Sequence, residues 1–78
     1  HALMASGEMQ MRLGDHAGAI ATYDRFVAIA PNDARSWFNR GIAYHILYQP
    51  EAGCADLKRA AELGSDRATD ALTYFCAY

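Results

Sequence analysis

The sequence predicts an all-α fold, a short α-solenoid of antiparallel helix pairs with five helices in total. Three observations predict it: a 34-residue internal repeat, apolar residues at helical spacing within each copy, and helix-breaking residues between the predicted helices. No segment shows the strict apolar–polar alternation of a half-buried strand. With 78 residues, 53% of them hydrophobic, the chain has enough apolar side chains for one small core.

The internal repeat becomes visible when the sequence is shifted by 34 residues against itself. Gly7 then aligns with Gly41 and Leu13 with Leu47, and many apolar positions of one copy remain apolar in the other. A fixed period of this length is typical of solenoids, in which each unit packs on the next one.

Helical spacing is clearest in the second copy. Small and aromatic residues there step by four, three and four positions, at Trp37, Gly41, Tyr44 and Tyr48. Residues three and four positions apart share one face of a helix, so this face is expected to point toward the core. Leu57 begins a similar apolar series on a second segment, which predicts two helices in each copy.

Turn and capping residues indicate where the helices begin and end. Gly14 ends the first helix and Asp15 suits the N-cap of the second, whereas Pro31 ends the second helix and Asp33 suits the N-cap of the third. Pro50 suits the first position of the fourth helix. The segment 64–66 ends the fourth helix and supplies an N-cap for the fifth. The predicted helices are Ala2–Leu13, His16–Ile29, Ala34–Leu47, Pro50–Leu63 and Arg67–Ala77.

The second copy reads Trp37-x-x-Arg40-Gly41-x-x-Tyr44, then Gly53-x-x-x-Leu57 and Ala60, and the first copy has Gly7, Ala19-x-x-x-Tyr23 and Pro31 at matching offsets. This pattern resembles the tetratricopeptide repeat (TPR). The resemblance implies a single domain over residues 1–78, with repeat 1 at about 1–33, repeat 2 at about 34–67 and a C-terminal capping helix at about 68–78.

One residue departs from this pattern, and one segment allows a different repeat assignment. Arg40 occupies a position where the family usually has Leu. The run 60–64 together with the alanines that follow it also resembles the related Sel-like repeats. That alternative keeps the same fold class, and the intact 34-residue register favours the tetratricopeptide interpretation.

Small residues are expected where the two helices of a pair approach each other, at Gly7, Ala19, Gly41 and Gly53. Larger side chains are expected to fill the spaces between neighbouring helices, at Tyr23, Phe26, Trp37, Tyr44 and Leu57.

The resemblance also implies a binding surface, because the first helices of successive pairs line a concave face in tetratricopeptide arrays. The residues that this places in a partner-binding groove are Met4, Glu8, Met11, Arg12, Arg35, Phe38, Asn39, Ile42, His45 and Ile46. The last helix adds Thr69, Leu72 and Thr73. An apolar stripe rimmed by charges is typical of a groove for an extended or helical peptide.

The function expected from this surface is that of an adaptor or scaffold that binds a protein or peptide. The alternative is a structural module that self-associates as a homo-oligomer, or a fragment of a longer array without its own ligand. Tetratricopeptide clamps for the acidic C-terminus of heat-shock chaperones use two basic and two Asn positions, and only Asn39 matches. Glu8 falls on another of these positions and would repel a carboxylate, so we do not expect that ligand.

The two cysteines, Cys54 and Cys76, flank the predicted turn at equal sequence distances from residue 65. In an antiparallel hairpin they lie at equal height, which fits a disulfide. Two reduced and buried thiols fit the spacing as well. With His16 and His45 they form no metal-binding spacing such as C-x-x-C or H-x-x-x-H, so no metal site is expected.

Composition and motifs exclude several other function classes. The net charge of -2 and the scattered Lys and Arg residues argue against nucleic acid, and no apolar run has the length of a membrane span. The sequence has no Gly-rich phosphate loop and no nucleophile elbow. We therefore expect no cofactor and no enzymatic activity. The sequence gives no indication of a compartment.

Overall fold

The computed structural model describes residues 2–76 and contains five α-helices within that range. They are α1 (Ala2–Arg12), α2 (His16–Ile29), α3 (Ala34–Ile46), α4 (Pro50–Glu62) and α5 (Asp66–Phe75). No strand occurs among these residues, and the predicted all-α fold is confirmed. Within the described residues the predicted helix ends differ from the observed ones by at most one residue, and α2 agrees at both ends. The predicted end of the fifth helix, at Ala77, lies outside the described residues.

Local capping chemistry explains where the helices begin. The Asp15 carboxylate accepts a hydrogen bond from the Gly18 backbone N–H at 3.0 Å. Asp33 accepts one from the Arg35 N–H, also at 3.0 Å. These side chains satisfy N–H groups that have no partner within the helix. α5 begins one residue earlier than predicted, because Ser65 rather than Asp66 is its N-cap.

Consecutive helices pack against each other in chain order, from α1 on α2 to α4 on α5. Two groups of buried side chains form the core. The first consists of Met4, Ala19, Tyr23 and Phe26. The second consists of Leu57, Ala60, Ala68 and Ala71, and Phe38 and Ile42 of α3 pack against it. α5 therefore closes the second helix pair by covering one side of α3.

The predicted small residues do lie at close helix approaches. A Cβ atom added to Gly53 would lie 2.9 Å from the Gly41 carbonyl oxygen, and one added to Gly41 would lie 3.0 Å from the Gly53 carbonyl oxygen. In the first pair, the space above Gly7 is filled by the ring of Tyr23, whose atoms would come within 2.5 Å of an added Cβ. Ala19, the partner predicted for Gly7, is fully buried.

The predicted large core residues divide into two groups. Tyr23, Phe26 and Leu57 are almost completely buried. Trp37 and Tyr44 are only partly buried, which corrects their expected place in the core. Trp37 lies at the edge of the second group and donates its indole N–H to the Pro31 carbonyl at 2.9 Å.

No helix within residues 2–76 combines the length and the apolar character that crossing a membrane requires.

Candidate functional site

A cleft of about 320 Å³ lies between α1, α3 and the turn that joins α4 to α5. The α1–α3 cleft, as we call it, is lined by Met4, Glu8, Ala34, Arg35, Phe38, Asn39, Leu63, Gly64, Ser65 and Arg67. α1 and α3 are the first helices of their pairs, so the cleft occupies the concave side of the solenoid.

Phe38 and Arg67 form the most distinctive contact in the α1–α3 cleft. The Arg67 guanidinium lies 4.8 Å from the centre of the Phe38 ring, within the range of a cation–π interaction. Arg67 is exposed, whereas Phe38 is partly buried against the second core group. The pair therefore offers an apolar ring with a positive charge at the same point of the surface.

A second cleft of about 210 Å³ continues from the first. Both clefts share Glu8, Asn39 and Arg67, and the second adds Met11, Arg12 and Tyr23. Together they form one groove along α1 and α3. Its lining carries three Arg side chains and a single carboxylate, that of Glu8, which gives the groove a positive balance.

Asn39 is held in place at the base of this groove. Its side-chain amide donates to the Tyr23 hydroxyl at 3.1 Å and contacts the Met4 sulfur at 3.5 Å. Burial raises the pKa of Tyr23 above its ordinary value of 10.0, although the Asn39 hydrogen bond acts in the opposite direction. Tyr23 is therefore neutral at physiological pH, and Asn39 connects α3 to the core of the first pair.

Comparison of the sequence with known protein families identifies the family of this chain. A family model described as "Tetratricopeptide repeat" matches residues 8–73, most of the chain. The chain belongs to the tetratricopeptide repeat family. Members of this family generally act as protein–protein interaction modules and are typically not catalysts. A comparison with curated proteins finds no match to this chain.

Seven of the ten residues predicted for the groove line the two clefts of this tetratricopeptide chain. They are Met4, Glu8, Met11, Arg12, Arg35, Phe38 and Asn39. The sequence argument did not assign Arg67 or the turn 63–65 to the groove. No local pattern marks them, since their position depends on how α5 packs against Phe38.

The other three predicted groove residues line neither cleft. Ile42 packs against the second core group, because α5 covers that part of α3. Ile46 is 44% exposed at the end of α3. His45 stacks on Phe75 with ring centres 4.8 Å apart, away from both clefts. α5 therefore shortens the groove at its C-terminal end, and Leu72, predicted to line it, packs in the core instead.

Arg35 at the edge of the α1–α3 cleft is paired with Asp33. Its guanidinium donates to the two Asp33 carboxylate oxygens at 3.0 and 2.7 Å. These hydrogen bonds lower the pKa of Asp33 below its ordinary value of 3.8 and raise the pKa of Arg35. Arg12 and Arg67 also line the groove, and neither forms an ion pair within residues 2–76.

The two cysteines are joined by a disulfide in the structure, with Cα atoms 6.0 Å apart. Cys54 lies in the second turn of α4, and Cys76 follows the last residue of α5. The bond connects the closing helix to the second repeat. His45 lies beside it, with Nε2 at 3.7 Å from the Cys54 sulfur and 3.9 Å from the Cys76 sulfur.

Proposed function

We propose that this chain binds a segment of a protein partner, or a peptide, in the groove formed by the α1–α3 cleft and its continuation. The observation that carries the proposal is the Phe38–Arg67 pair in a concave cleft on the face where tetratricopeptide arrays hold ligands. A cleft of this volume, at the lower end of the range of small-molecule pockets, has room for a large side chain of a bound segment. The rest of the ligand would follow the second cleft along α1.

The side chains of the groove suggest the chemistry of the ligand. Phe38 and Met4 offer apolar contacts, and Arg12 and Arg67 offer positive charge nearby. We expect an apolar or aromatic residue next to an acidic residue in the bound segment. A free carboxyl terminus would meet Glu8, and Asn39 is already bonded to Tyr23, so this proposal excludes the acidic tail of heat-shock chaperones as the ligand.

We also propose that the chain is not an enzyme. Glu8 is the one carboxylate among the residues that line the two clefts. The Ser65 hydroxyl, which also lines the first cleft, accepts the Ala68 N–H as a helix cap. No His is among the described residues that line the two clefts, so the lining offers Ser65 no imidazole base for nucleophilic catalysis.

The experiment is a selection of short peptides from a displayed random library on the whole 78-residue chain. We expect enrichment of peptides with an aromatic or aliphatic residue beside Asp or Glu. Dissociation constants of the selected peptides would then be measured by fluorescence anisotropy for Phe38→Ala and for Ile46→Ala. Ile46 lies on the same helix but outside both clefts, which makes it a matched control.

We expect Phe38→Ala to weaken binding at least tenfold and Ile46→Ala to leave it unchanged. Arg67→Ala should weaken binding and reduce its dependence on salt. The groove assignment is wrong if Ile46→Ala weakens binding as much as Phe38→Ala does. It is also wrong if Phe38→Ala lowers the melting temperature as much as Leu57→Ala, a change at a fully buried residue, because Phe38 would then act chiefly in the core.

Self-association is the second candidate, and exposed apolar side chains favour it. Leu13 is 76% exposed, Tyr48 92% and Tyr74 82%. Further repeats or a second copy of the chain would cover such side chains. We also propose that the chain divides into repeats at about 1–33 and 34–67 and a capping helix at about 68–78. Light scattering over a range of concentrations distinguishes the two functions, since a monomer at every concentration excludes obligatory self-association.

A further inference from the structure

A cluster of three potential metal ligands lies at the end of the solenoid opposite to the groove's α1 side. His45 belongs to the last turn of α3, Cys54 to α4, and Cys76 directly follows α5. One ligand atom from each residue lies within 4.8 Å of the others. Three successive helices thus bring together residues that are 9 and 22 positions apart in the sequence.

The fold fixes the orientation of the His45 ring. One side of the ring rests on Gly53, where an added Cβ would lie 2.6 Å from His45 Cδ2 and 2.8 Å from Nε2. The ring also stacks on Phe75 at an interplanar angle of 25°. Both contacts direct Nε2 toward the two sulfur atoms, and a ring held in this way loses little freedom when it binds a metal.

The distances around His45 agree with the dimensions of a zinc site. Zinc binds thiolate sulfur at about 2.3 Å and imidazole nitrogen at about 2.0 to 2.1 Å, so a tetrahedral site separates its nitrogen and sulfur ligands by about 3.5 Å. The observed separations from Nε2 are 3.7 and 3.9 Å. After reduction the two sulfurs, now at bonding distance, would have to separate to about 3.8 Å, the spacing of two thiolates on one tetrahedral zinc, which requires side-chain movements of more than about 1 Å in total.

The oxidised cysteines carry no thiolate, so reduction must precede metal binding. A dithiol reductant would cleave the sulfur–sulfur bond, supply two protons and two electrons to the two sulfurs, and itself become a disulfide. The two thiols would then lose their protons to the solvent as Zn²⁺ binds. Thiolate and imidazole ligands together favour zinc over the harder magnesium and calcium ions.

We propose that the reduced chain binds one Zn²⁺ ion through His45 Nε2 and the sulfurs of Cys54 and Cys76, with water as the fourth ligand. Disulfide and metal exclude each other at this site: the disulfide connects the end of α5 to α4, whereas the metal would connect it to both α3 and α4. Cys54 is 8% exposed, and His45 and Cys76 are partly exposed, so the site has access to solvent. The sequence argument against a metal considered ligands at short spacings along the chain, whereas these three come from successive helices.

The test uses the whole chain, reduced with a phosphine under anaerobic conditions and freed of excess reductant. Co²⁺ is added first as a spectroscopic probe, followed by Zn²⁺ in competition with a chromophoric chelator. We expect one Co²⁺ per chain with intense tetrahedral ligand-field bands and a thiolate charge-transfer band, and displacement of Co²⁺ by Zn²⁺. The oxidised chain should show neither band.

His45→Phe keeps a ring on Gly53 and Phe75 but removes the ligand nitrogen, and His16→Ala is the matched control at a histidine outside the cluster. We expect His45→Phe to weaken Zn²⁺ binding at least tenfold and His16→Ala to leave it unchanged. Equal affinities of the unaltered chain and His45→Phe would overturn the proposal, and so would an octahedral Co²⁺ spectrum. If the reduced chain loses helicity, the readout becomes the helix content measured by circular dichroism instead of the Co²⁺ absorption spectrum. The proposal then requires Zn²⁺ to restore the helix content of the reduced unaltered chain but not that of reduced His45→Phe.

Discussion

Arg40 and Asp56 form a bidentate ion pair between α3 and α4. Nε and Nη2 of Arg40 donate to the two Asp56 oxygens at 2.7 and 2.8 Å, and the Asp56 side chain is only 7% exposed. The third guanidinium nitrogen of Arg40, Nη1, donates to the Asp24 carboxylate of α2 at 2.9 Å. These hydrogen bonds, chiefly those with Asp56, raise the pKa of Arg40. An ionic network spanning three helices thus occupies a position where the repeat pattern usually has Leu.

Removing the buried carboxylate is expected to cost stability. Among the described residues, Asp56→Ala leaves Arg40 with the exposed Asp24 as its ion-pair partner, and loss of one member of a buried pair costs about 3 kcal/mol or more. We expect a decrease of about 3 kcal/mol in the free energy of unfolding, measured by urea titration. Asp24→Ala is the control and should cost less than about 1 kcal/mol, because its carboxylate is 54% exposed.

The double variant Arg40→Leu with Asp56→Leu tests whether the network stabilises the fold or only avoids an unpaired charge. Replacing a buried pair by apolar side chains is often neutral. We expect the double variant to recover most of the stability lost in Asp56→Ala. A double variant as unstable as Asp56→Ala would show that the ion pair itself is required for close packing of α3 on α4.

Gly53→Ala is expected to destabilise the chain although alanine is the better helix former. At an open helix site this change gains about 1 kcal/mol. An added Cβ at position 53, however, would meet the Gly41 carbonyl oxygen at 2.9 Å and the His45 ring at 2.6 Å. We expect a net loss of about 1 to 3 kcal/mol in thermal or urea unfolding. Making Gly53→Ala in a His45→Ala background removes the clash with the His45 ring and leaves the one with the Gly41 carbonyl oxygen, so the two effects can be separated. A Gly53→Ala single variant more stable than the unaltered chain would contradict the close approach of α3 and α4.

Tyr48→Gly is expected to stabilise the chain. Tyr48 is 92% exposed and has a φ of 60°, a left-handed conformation that is unfavourable for a side chain with Cβ. Gly14, one repeat earlier, adopts the same region with a φ of 80°. We expect Tyr48→Gly to raise the free energy of unfolding by about 0.5 to 1 kcal/mol and Gly14→Ala to lower it by a similar amount. The reverse signs would mean that the two turns are not equivalent.

Asp33 is expected to give the stability a specific pH dependence. Its pKa is lowered in the folded state, chiefly by the Arg35 side chain, so its contribution is present above the unfolded value near 3.8 and is lost as the pH falls through the folded value. Asp33→Ala should cost about 1 kcal/mol at neutral pH through the lost cap. Urea titrations at neutral pH and at about pH 2.5 should show this difference shrinking. A difference independent of pH would mean that the charge of Asp33 contributes nothing.

The disulfide between Cys54 and Cys76 is expected in the unreduced protein. A count of free thiols should give none before reduction and two after it. With a sequence separation of 22 residues, the bond should contribute about 3 kcal/mol by restricting the unfolded chain. Urea titrations with and without reductant, in the presence of a chelator, measure this contribution. Two free thiols in protein prepared without reductant would contradict the expectation.

The helices and their boundaries could be predicted from the sequence because the signals are local. Asp15, Asp33 and Pro50 act on the backbone within one turn of their own positions, and the apolar spacing reports the face of each helix directly. The sequence placed the cap of α5 within 64–66 but predicted the helix start at Arg67, one residue late, since Ser and Asp are similarly good caps and stand side by side. Helix ends are thus uncertain where equivalent signals are adjacent.

The amino-acid sequence by itself determined the all-α fold, the family and the positions of the helices, because periodicity and capping depend on neighbouring residues. Only the tertiary structure decided that Arg40 meets Asp56, that Arg67 covers Phe38 and that His45 faces the two cysteines. Each of these contacts joins different helices, so it depends on the distance and angle at which two helices pack. The Gly41–Gly53 approach fixes that geometry for α3 and α4, and the packing of α5 on α3 decides where the groove ends.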